Sequence, residues 1–169
     1  MESSVVISFN QVTEFRIALR LYGMTENGVF MLNEIEEAGS DKRTFFELLG
    51  GEANGVENIR QLVETFYDIM DSDPKVKPLR DMHQPDLTSA REKLFMFLAG
   101  WTGGPQLYIE RYGHPRLRAR HMPFAIDESA RDQWMYCMIK AMHQLGYDDD
   151  LMKKLATQLY GVADFMRNQ

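Results

Sequence analysis

The sequence predicts an all-α protein. From Asp41 onward, apolar residues recur at the three- and four-residue steps of amphipathic helices. Clusters of glycine and proline separate one apolar stripe from the next, as expected where helices end. No part of this range gives a convincing strand pattern. Together these observations predict four substantial helices joined by shorter segments.

The first elements are a short helix and a long one. Residues 44–49 are mostly apolar, and Gly50 and Gly51 end the stretch because glycine suits a left-handed helix cap. The first long helix is predicted over residues 57–71. Pro74 and Pro78 then break the periodicity and predict a loop or short turns.

The second long helix is predicted over residues 87–101 and ends at Gly103, Gly104 and Pro105. Residues 106–126 have no clean period and contain glycine and proline, so we interpret them as a loop with a short helix just before His121.

Two further helices complete the pattern. Asp127 is suited to cap the third long helix, which ends at Gly146. Three consecutive aspartates, 148–150, favour the start of the fourth. Residues 1–40 fit either a strand hairpin or a helix, and the sequence does not choose between them. The alternating set is Phe15, Ile17, Leu19 and Leu21, with a turn at Asn27 and Gly28, and the helical set is Val12, Phe15, Leu19 and Tyr22.

The bulk composition excludes several classes of protein. The length of 169 residues favours one domain with its own core. The formal net charge of −6 argues against nucleic acid as a partner, and no apolar run is long enough for a membrane span. The first ten residues do not resemble a signal peptide, and the single cysteine, Cys137, fits a reducing compartment. We therefore expect a cytoplasmic protein.

Few residues are arranged for catalysis. The four histidines, at 83, 114, 121 and 143, have no zinc-like spacing. No nucleophile-elbow serine and no glycine-rich phosphate loop is present, so hydrolase and nucleotide-binding functions have little support.

His121 has unusual surroundings. Four arginines, at 111, 116, 118 and 120, lie within ten residues of an acidic protein. This cluster is either a solvated basic patch or a site for a dianionic ligand with an apolar body. Haem is such a ligand, and a neutral imidazole is a good axial ligand for its iron. The apolar stripes of the helices are equally consistent with a haem pocket and with ordinary core packing.

Four motifs indicate a family. They are Phe66-Tyr67, the run Leu-Ala-Gly-Trp-Thr-Gly-Gly-Pro at 98–105, the run Gly-His-Pro-Arg-Leu-Arg-Ala-Arg-His-Met-Pro-Phe at 113–124, and Glu-x-x-Arg-Asp-Gln-Trp at 128–134. Through them, residues 45–165 resemble the group II truncated haemoglobins. The resemblance implies a two-over-two helical sandwich around haem b, with a reduced first helix. We therefore expect a truncated globin domain at 43–169, preceded by an extension at 1–42 that typical members lack.

The resemblance also implies residue roles. His121 matches the proximal ligand of the haem iron, and Tyr67, Trp134 and His83 match positions that stabilise a ligand on the distal side. The apolar faces of the helices and the loop supply candidate pocket residues, which are Phe66, Met70, Leu94, Phe97, Leu98, Met138, Met122 and Phe124. The resemblance also implies that Ala90 and Leu94 face the haem. The implied partners of the haem propionates are Lys93 and Arg120, assisted by Arg118 and His114, although His114 is equally suited to fix the loop.

The function implied is reversible binding of dioxygen or another diatomic gas. The alternative is a redox enzyme, a nitric oxide dioxygenase or a peroxidase-like protein, acting on the same iron. Such an enzyme needs a separate reductase, because the chain has no flavin or nicotinamide motif. We therefore rank binding first. The sequence is compatible with a monomer or a homodimer.

Overall fold

The computed structural model describes residues 42–169, and within that range it contains helices and no β-strand. The predicted all-α class is confirmed. The alternatives for residues 1–40 lie outside the described residues. The division of the chain into 1–42 and 43–169 stays a prediction.

Helix α1, Phe45–Leu48, has a capping box at its start. The Thr44 hydroxyl accepts from the Glu47 amide at 3.2 Å, and the Glu47 carboxylate accepts from the Thr44 amide at 2.6 Å. Gly50, with a φ of 113°, links α1 directly to the long helix α2, Gly51–Ser72. Helix α2 therefore begins six residues earlier than the predicted 57. Its first turns, Gly-Glu-Ala-Asn-Gly-Val, lack the apolar spacing that identified the rest.

The proline-containing segment after α2 forms short turns, as predicted. A 3-10 turn, Pro74–Val76, leads into helix α3, Lys77–Asp81, and each has a proline in its first turn. Proline is tolerated there because the amide it lacks would have no partner within the helix. Helix α4, Thr88–Trp101, follows within one residue of its predicted start.

Residues 106–126 contain two short helices, where the sequence predicted one. Helix α5, Leu107–Tyr112, ends at Gly113, and helix α6, Leu117–His121, starts after Arg116. Gly113 has a φ of 73° and Arg116 a φ of 45°, so the chain turns sharply between the helices. The prediction missed α5 because six residues are too few for a helical period to be recognised.

The predicted Asp127 cap is confirmed, and the aspartate run that was predicted to begin the last helix provides a second cap. The Asp127 carboxylate accepts from the Ala130 amide at 2.8 Å at the start of helix α7, Glu128–Gln144. The Asp148 carboxylate accepts from the Leu151 amide at 3.0 Å at the start of helix α8, Asp149–Phe165. A carboxylate in this place satisfies amides that have no partner within the helix.

The four long helices enclose the core. Helix α2 packs against α4 and α7, and α7 packs against α8, which gives two helix pairs joined through α2 and α7. Three methionines of α7 are fully buried in this core: Met135, Met138 and Met142. None of the described helices has the length and apolarity needed to cross a membrane.

Candidate functional site

A cavity of about 570 Å³ lies among helices α2, α4, α6, α7 and α8. This volume is within the usual range of small-molecule sites. The cavity explains an oddity of α4, where Leu94 and Phe97 stay partly exposed although their neighbours Phe95 and Leu98 are buried. Leu94 and Phe97 line the cavity.

The structure brings most of the predicted site residues to this cavity. The three proposed distal residues and His121 line it, as do many of the proposed pocket and propionate residues: Tyr67, His83, Trp134, His121, Ala90, Leu94, Phe97, Leu98, Phe124, Lys93 and Arg120.

His121 is the last residue of α6 and is half-buried. Its Nδ1 atom lies 2.6 Å from the carbonyl oxygen of Leu117, one turn earlier. A carbonyl oxygen can only accept, so Nδ1 must carry the proton that is donated. In the neutral ring, Nε2 then keeps a free lone pair. This tautomer is the one that an imidazole needs to ligate a metal through Nε2.

Tyr67 lies on α2 and is buried, with an exposed fraction of 5%. Its ring packs edge-on against Phe66 at 4.9 Å and His83 at 6.0 Å between centroids. Burial raises the pKa of the Tyr67 hydroxyl, and Arg91 offsets only part of this rise, so the group remains a proton donor. No hydrogen bond to this hydroxyl is formed by any residue in 42–169.

Trp134 lies on α7, and its ring is 5.2 Å from that of Phe66. Phe66 therefore contacts both Tyr67 and Trp134 and holds the two rings in place. Within the described part of the chain, the indole N–H of Trp134 has no acceptor. Tyr67 and Trp134 thus place two uncommitted donors on residues that line the same cavity.

His83 follows α3, and its Nδ1 lies 3.0 Å from the carbonyl oxygen of Leu79. Burial and the nearby Arg80 and His121 lower the pKa of His83 more than this hydrogen bond raises it. The ring is therefore neutral at pH 7, with its proton on Nδ1. Its Nε2 is then an acceptor, whereas Tyr67 and Trp134 offer donors.

Four predicted pocket residues do not line the cavity. Phe66, Met70 and Met138 are buried behind it, because a helical stripe also includes residues that face neighbouring helices. Met122 follows the last residue of α6 and is 56% exposed.

Two predicted anion partners also lie elsewhere. Arg118 donates from Nη1 to the carbonyl oxygens of Phe165 and Arg167. The Nδ1 atom of His114 accepts from the Arg116 amide at 3.1 Å, so this ring stabilises the turn before α6. Lys93 and Arg120 remain as the predicted cations at the cavity.

Sequence reasoning missed part of the wall. Leu159, Val162 and Met166 of α8 and the residue after it line the cavity. Their apolar stripe was visible in the sequence, but nothing local distinguished a wall of the cavity from ordinary core. Leu117 was also missed, although its spacing of four residues from His121 on a helix was an available signal.

The lining fits a haem group. Haem presents a flat apolar ring, an iron atom and two carboxylates. The cavity offers mainly apolar walls, an imidazole lone pair and three cationic side chains, Lys93, Arg120 and Arg131, of which Arg131 is already paired with Asp132 and Asp164. By contrast, no cluster of metal-binding side chains that could hold a bare ion occurs among residues 42–169.

Comparison of the sequence with known proteins also identifies globins. The family model for bacterial-like globins matches residues 44–168. The group 2 truncated hemoglobin YjbI of Bacillus subtilis (strain 168) is 42% identical over 118 residues, which span 70% of this chain and 87% of that protein.

Solved structures agree with the sequence matches. The cold-adapted truncated hemoglobin of the Antarctic marine bacterium Pseudoalteromonas haloplanktis TAC125 is 45% identical, with a TM-score of 0.67 over 75% of this chain and 99% of that one. The group II 2-on-2 hemoglobin of Agrobacterium tumefaciens is 32% identical, with a TM-score of 0.70 over 78% and 99%. A truncated oxygen-avid haemoglobin from Bacillus subtilis is 38% identical, with a TM-score of 0.65 over 75% and 100%.

Proposed function

The chain belongs to the bacterial-like globin family, as a group II truncated haemoglobin that binds haem, and from this premise we propose that His121 ligates the haem iron and that the protein binds dioxygen reversibly. The observation that carries the proposal is the hydrogen bond from His121 Nδ1 to the Leu117 carbonyl at 2.6 Å. It orients the ring and leaves Nε2 available to a metal. When bound, haem supplies an iron with one coordination position open to a diatomic gas.

Tyr67 and Trp134 are proposed to stabilise the bound gas. Both line the cavity, and both have a donor that no described residue uses. A hydrogen bond to a partner that carries charge contributes about 1.5–3 kcal/mol, which corresponds to roughly a 10- to 150-fold slower release of the gas. A relative of similar fold is described as oxygen-avid, which supports dioxygen as the ligand.

His83 is proposed to act through Tyr67. Its ring packs edge-on against the Tyr67 ring, and its free Nε2 can only accept a hydrogen bond while the ring is neutral. Because the phenol has only one proton to donate, this acceptor beside Tyr67 competes with the bound gas for it and affects how strongly Tyr67 stabilises the gas.

Lys93 and Arg120 are proposed to bind the haem propionates. Both line the cavity. Arg120 also donates from Nε to the Pro115 carbonyl at 2.9 Å, so its guanidinium is held in place before any ligand binds.

The test is the dissociation rate of dioxygen from the ferrous protein. We expect Tyr67→Phe and Trp134→Leu each to raise this rate about 10-fold or more, since each removes one donor. The matched control is Tyr108→Phe, which removes a hydroxyl from another cavity residue, one whose ring lies beside Arg120. Fast release from the parent protein, unchanged by either distal substitution, would refute the distal assignment.

The ligand assignment has its own test. We expect His121→Ala to lose the parent absorption spectrum and to recover it when imidazole is added. A His121→Ala protein that keeps haem with an unchanged spectrum would exclude His121 as the axial ligand.

A further inference from the structure

Helix α6, which carries His121, has few internal interactions that could fix its position. It has five residues, none of them buried, and no side chain caps its first turn. It also starts after Arg116, whose φ of 45° is unfavourable for a residue with a side chain. Helices this short are marginal without outside contacts. The position of His121 therefore depends on what α6 and the residues after it contact.

Among the described residues, the hydrogen bonds that join α6 and the residues after it to a distant part of the chain come from residues 165–169, which we call the clasp. The first is made by Arg118, on α6. Its Nη1 atom donates to the carbonyl oxygen of Phe165 at 2.6 Å and to that of Arg167 at 3.1 Å. The Arg118 guanidinium also lies over the Phe165 ring, 5.3 Å from its centroid. These interactions join α6 to a segment 47 or more residues away.

The second contact is made by Asn168, with both ends of its side-chain amide. Nδ2 donates to the carbonyl oxygen of His121 at 3.3 Å and to that of Phe124 at 2.8 Å. Oδ1 accepts from the Ile126 amide at 3.0 Å. The backbone amides of Asn168 and Gln169 both donate to the Ile126 carbonyl, at 3.0 and 3.2 Å. The clasp thus binds His121 itself and the residues that follow it.

The clasp is anchored on its other side. Arg167 forms ion pairs with Glu128, at the start of α7, at 3.2 Å and with Asp164, on α8, at 3.1 Å. Asp164 also pairs with the buried Arg131 at 2.6 Å. Met166 is buried and lines the cavity. The segment is therefore held on α7 and α8, and through its hydrogen bonds to α6 it fixes α6 relative to these two helices.

We propose that the clasp is a positioning element for His121, and that Arg118 and Asn168 determine how firmly His121 holds the haem iron. This inference rests on the proposed role of His121 as the ligand. Neither side chain is a catalytic residue, because both act through the backbone around His121. Outer partners of a metal ligand usually affect metal affinity when they are removed.

The test compares Asn168→Asp and Arg118→Gln, singly and together, with the parent protein. Asn168→Asp keeps the size and the acceptor of the amide but loses the donor to His121 and Phe124. Arg118→Gln loses the two bonds to the clasp. We expect transfer of haemin to an excess of an apoglobin acceptor to be about tenfold faster in each variant. We also expect the iron–histidine stretching band of the ferrous protein to shift and broaden in resonance Raman spectra.

Two variants serve as matched controls. Arg116→Gln removes the same charge two residues away, from a guanidinium that has no partner within residues 42–169. Gln169→Ala changes the neighbour of Asn168 but keeps the backbone bond to Ile126. Both controls should match the parent protein in haemin transfer and in the stretching band.

Hydrogen exchange of the haem-bound protein separates positioning from global stability. In Asn168→Asp we expect faster exchange confined to residues 117–126. Faster exchange across all helices would instead show a general loss of stability and would overturn the positioning role.

The two proposals fail in different ways. A parent protein without an iron–histidine band would refute the ligand role of His121, and the clasp proposal would fall with it. A parent protein with the band, and clasp variants whose band and haemin transfer equal those of the controls, would refute the clasp proposal alone.

Discussion

A methyl group at position 104 has no room in this fold. A Cβ atom built on Gly104 would lie 2.4 Å and 2.6 Å from Cδ2 and Cε2 of the Phe46 ring and 2.8 Å from the carbonyl oxygen of Ala99. Gly104 follows α4 in the glycine pair that the sequence indicated only as a helix stop. Gly104→Ala is therefore expected to destabilise the protein by overpacking and not through backbone conformation.

The Phe46 ring is also tightly packed against Gly55 of α2, where an added Cβ would be 2.7 Å from Cε2 of the same ring. Forcing an extra carbon into a packed site costs about 1–3 kcal/mol. For a chain of this length, each kcal/mol lowers the melting temperature by roughly 2–4 °C. A cost of about 2 kcal/mol thus predicts a fall of about 4–8 °C.

The assay is thermal and urea unfolding, followed by circular dichroism. Gly161→Ala is the matched control, because a Cβ there meets nothing within 4 Å and the residue lies inside α8. The same chemical change should stabilise the protein at that site by about 0.5–1 kcal/mol. In a Phe46→Leu background, which removes the ring, Gly104→Ala should cost less. An equal cost in both backgrounds would refute the argument from the Phe46 ring.

Two other predictions concern side chains outside the cavity. Asp73 accepts from Tyr136 at 2.8 Å and Lys140 at 2.7 Å. Burial alone would raise the pKa of Asp73. The two hydrogen bonds, together with one from the Lys75 amide, outweigh this effect and lower that pKa. Its stabilising effect should be present at neutral pH and lost as the pH falls below about 4. Asp73→Asn should cost about 1–3 kcal/mol in urea unfolding near pH 7, and an equal cost in acid would contradict this. Burial raises the pKa of Cys137 to about 12, so iodoacetamide should label it only after unfolding.

Features that depend on neighbouring residues could be predicted from the sequence. The caps formed by Asp127 and Asp148 each involve an amide three residues ahead, and the end of α4 depends on the glycines that follow it. His121 could be selected because a run of twelve residues around it resembles a known family. In each case the signal and the structure it specifies lie in the same short stretch of chain.

Features that depend on distant contacts could not be predicted in the same way. Arg118 and Arg120 look alike in the sequence, since both are arginines beside His121 in one basic run. What distinguishes them is the set of groups that each side chain contacts in the folded protein. Arg120 lines the cavity, whereas Arg118 donates to carbonyl oxygens that lie 47 and 49 residues further along the chain. A pattern of charge shows that an anion or a carbonyl group could be bound, but it does not show which one is near.

The geometry at His121 depends on more than the histidine itself. The tautomer of His121 is determined locally, by a carbonyl one helical turn away. The position of the short helix that carries the ring depends on Asn168, which also binds Phe124 and Ile126. A substitution at Asn168 would therefore leave the chemistry of the imidazole intact and change where it is held. For this reason the iron–histidine band, which reports the geometry of that bond, distinguishes the two contributions better than the oxygen release rate, which we attribute to Tyr67 and Trp134.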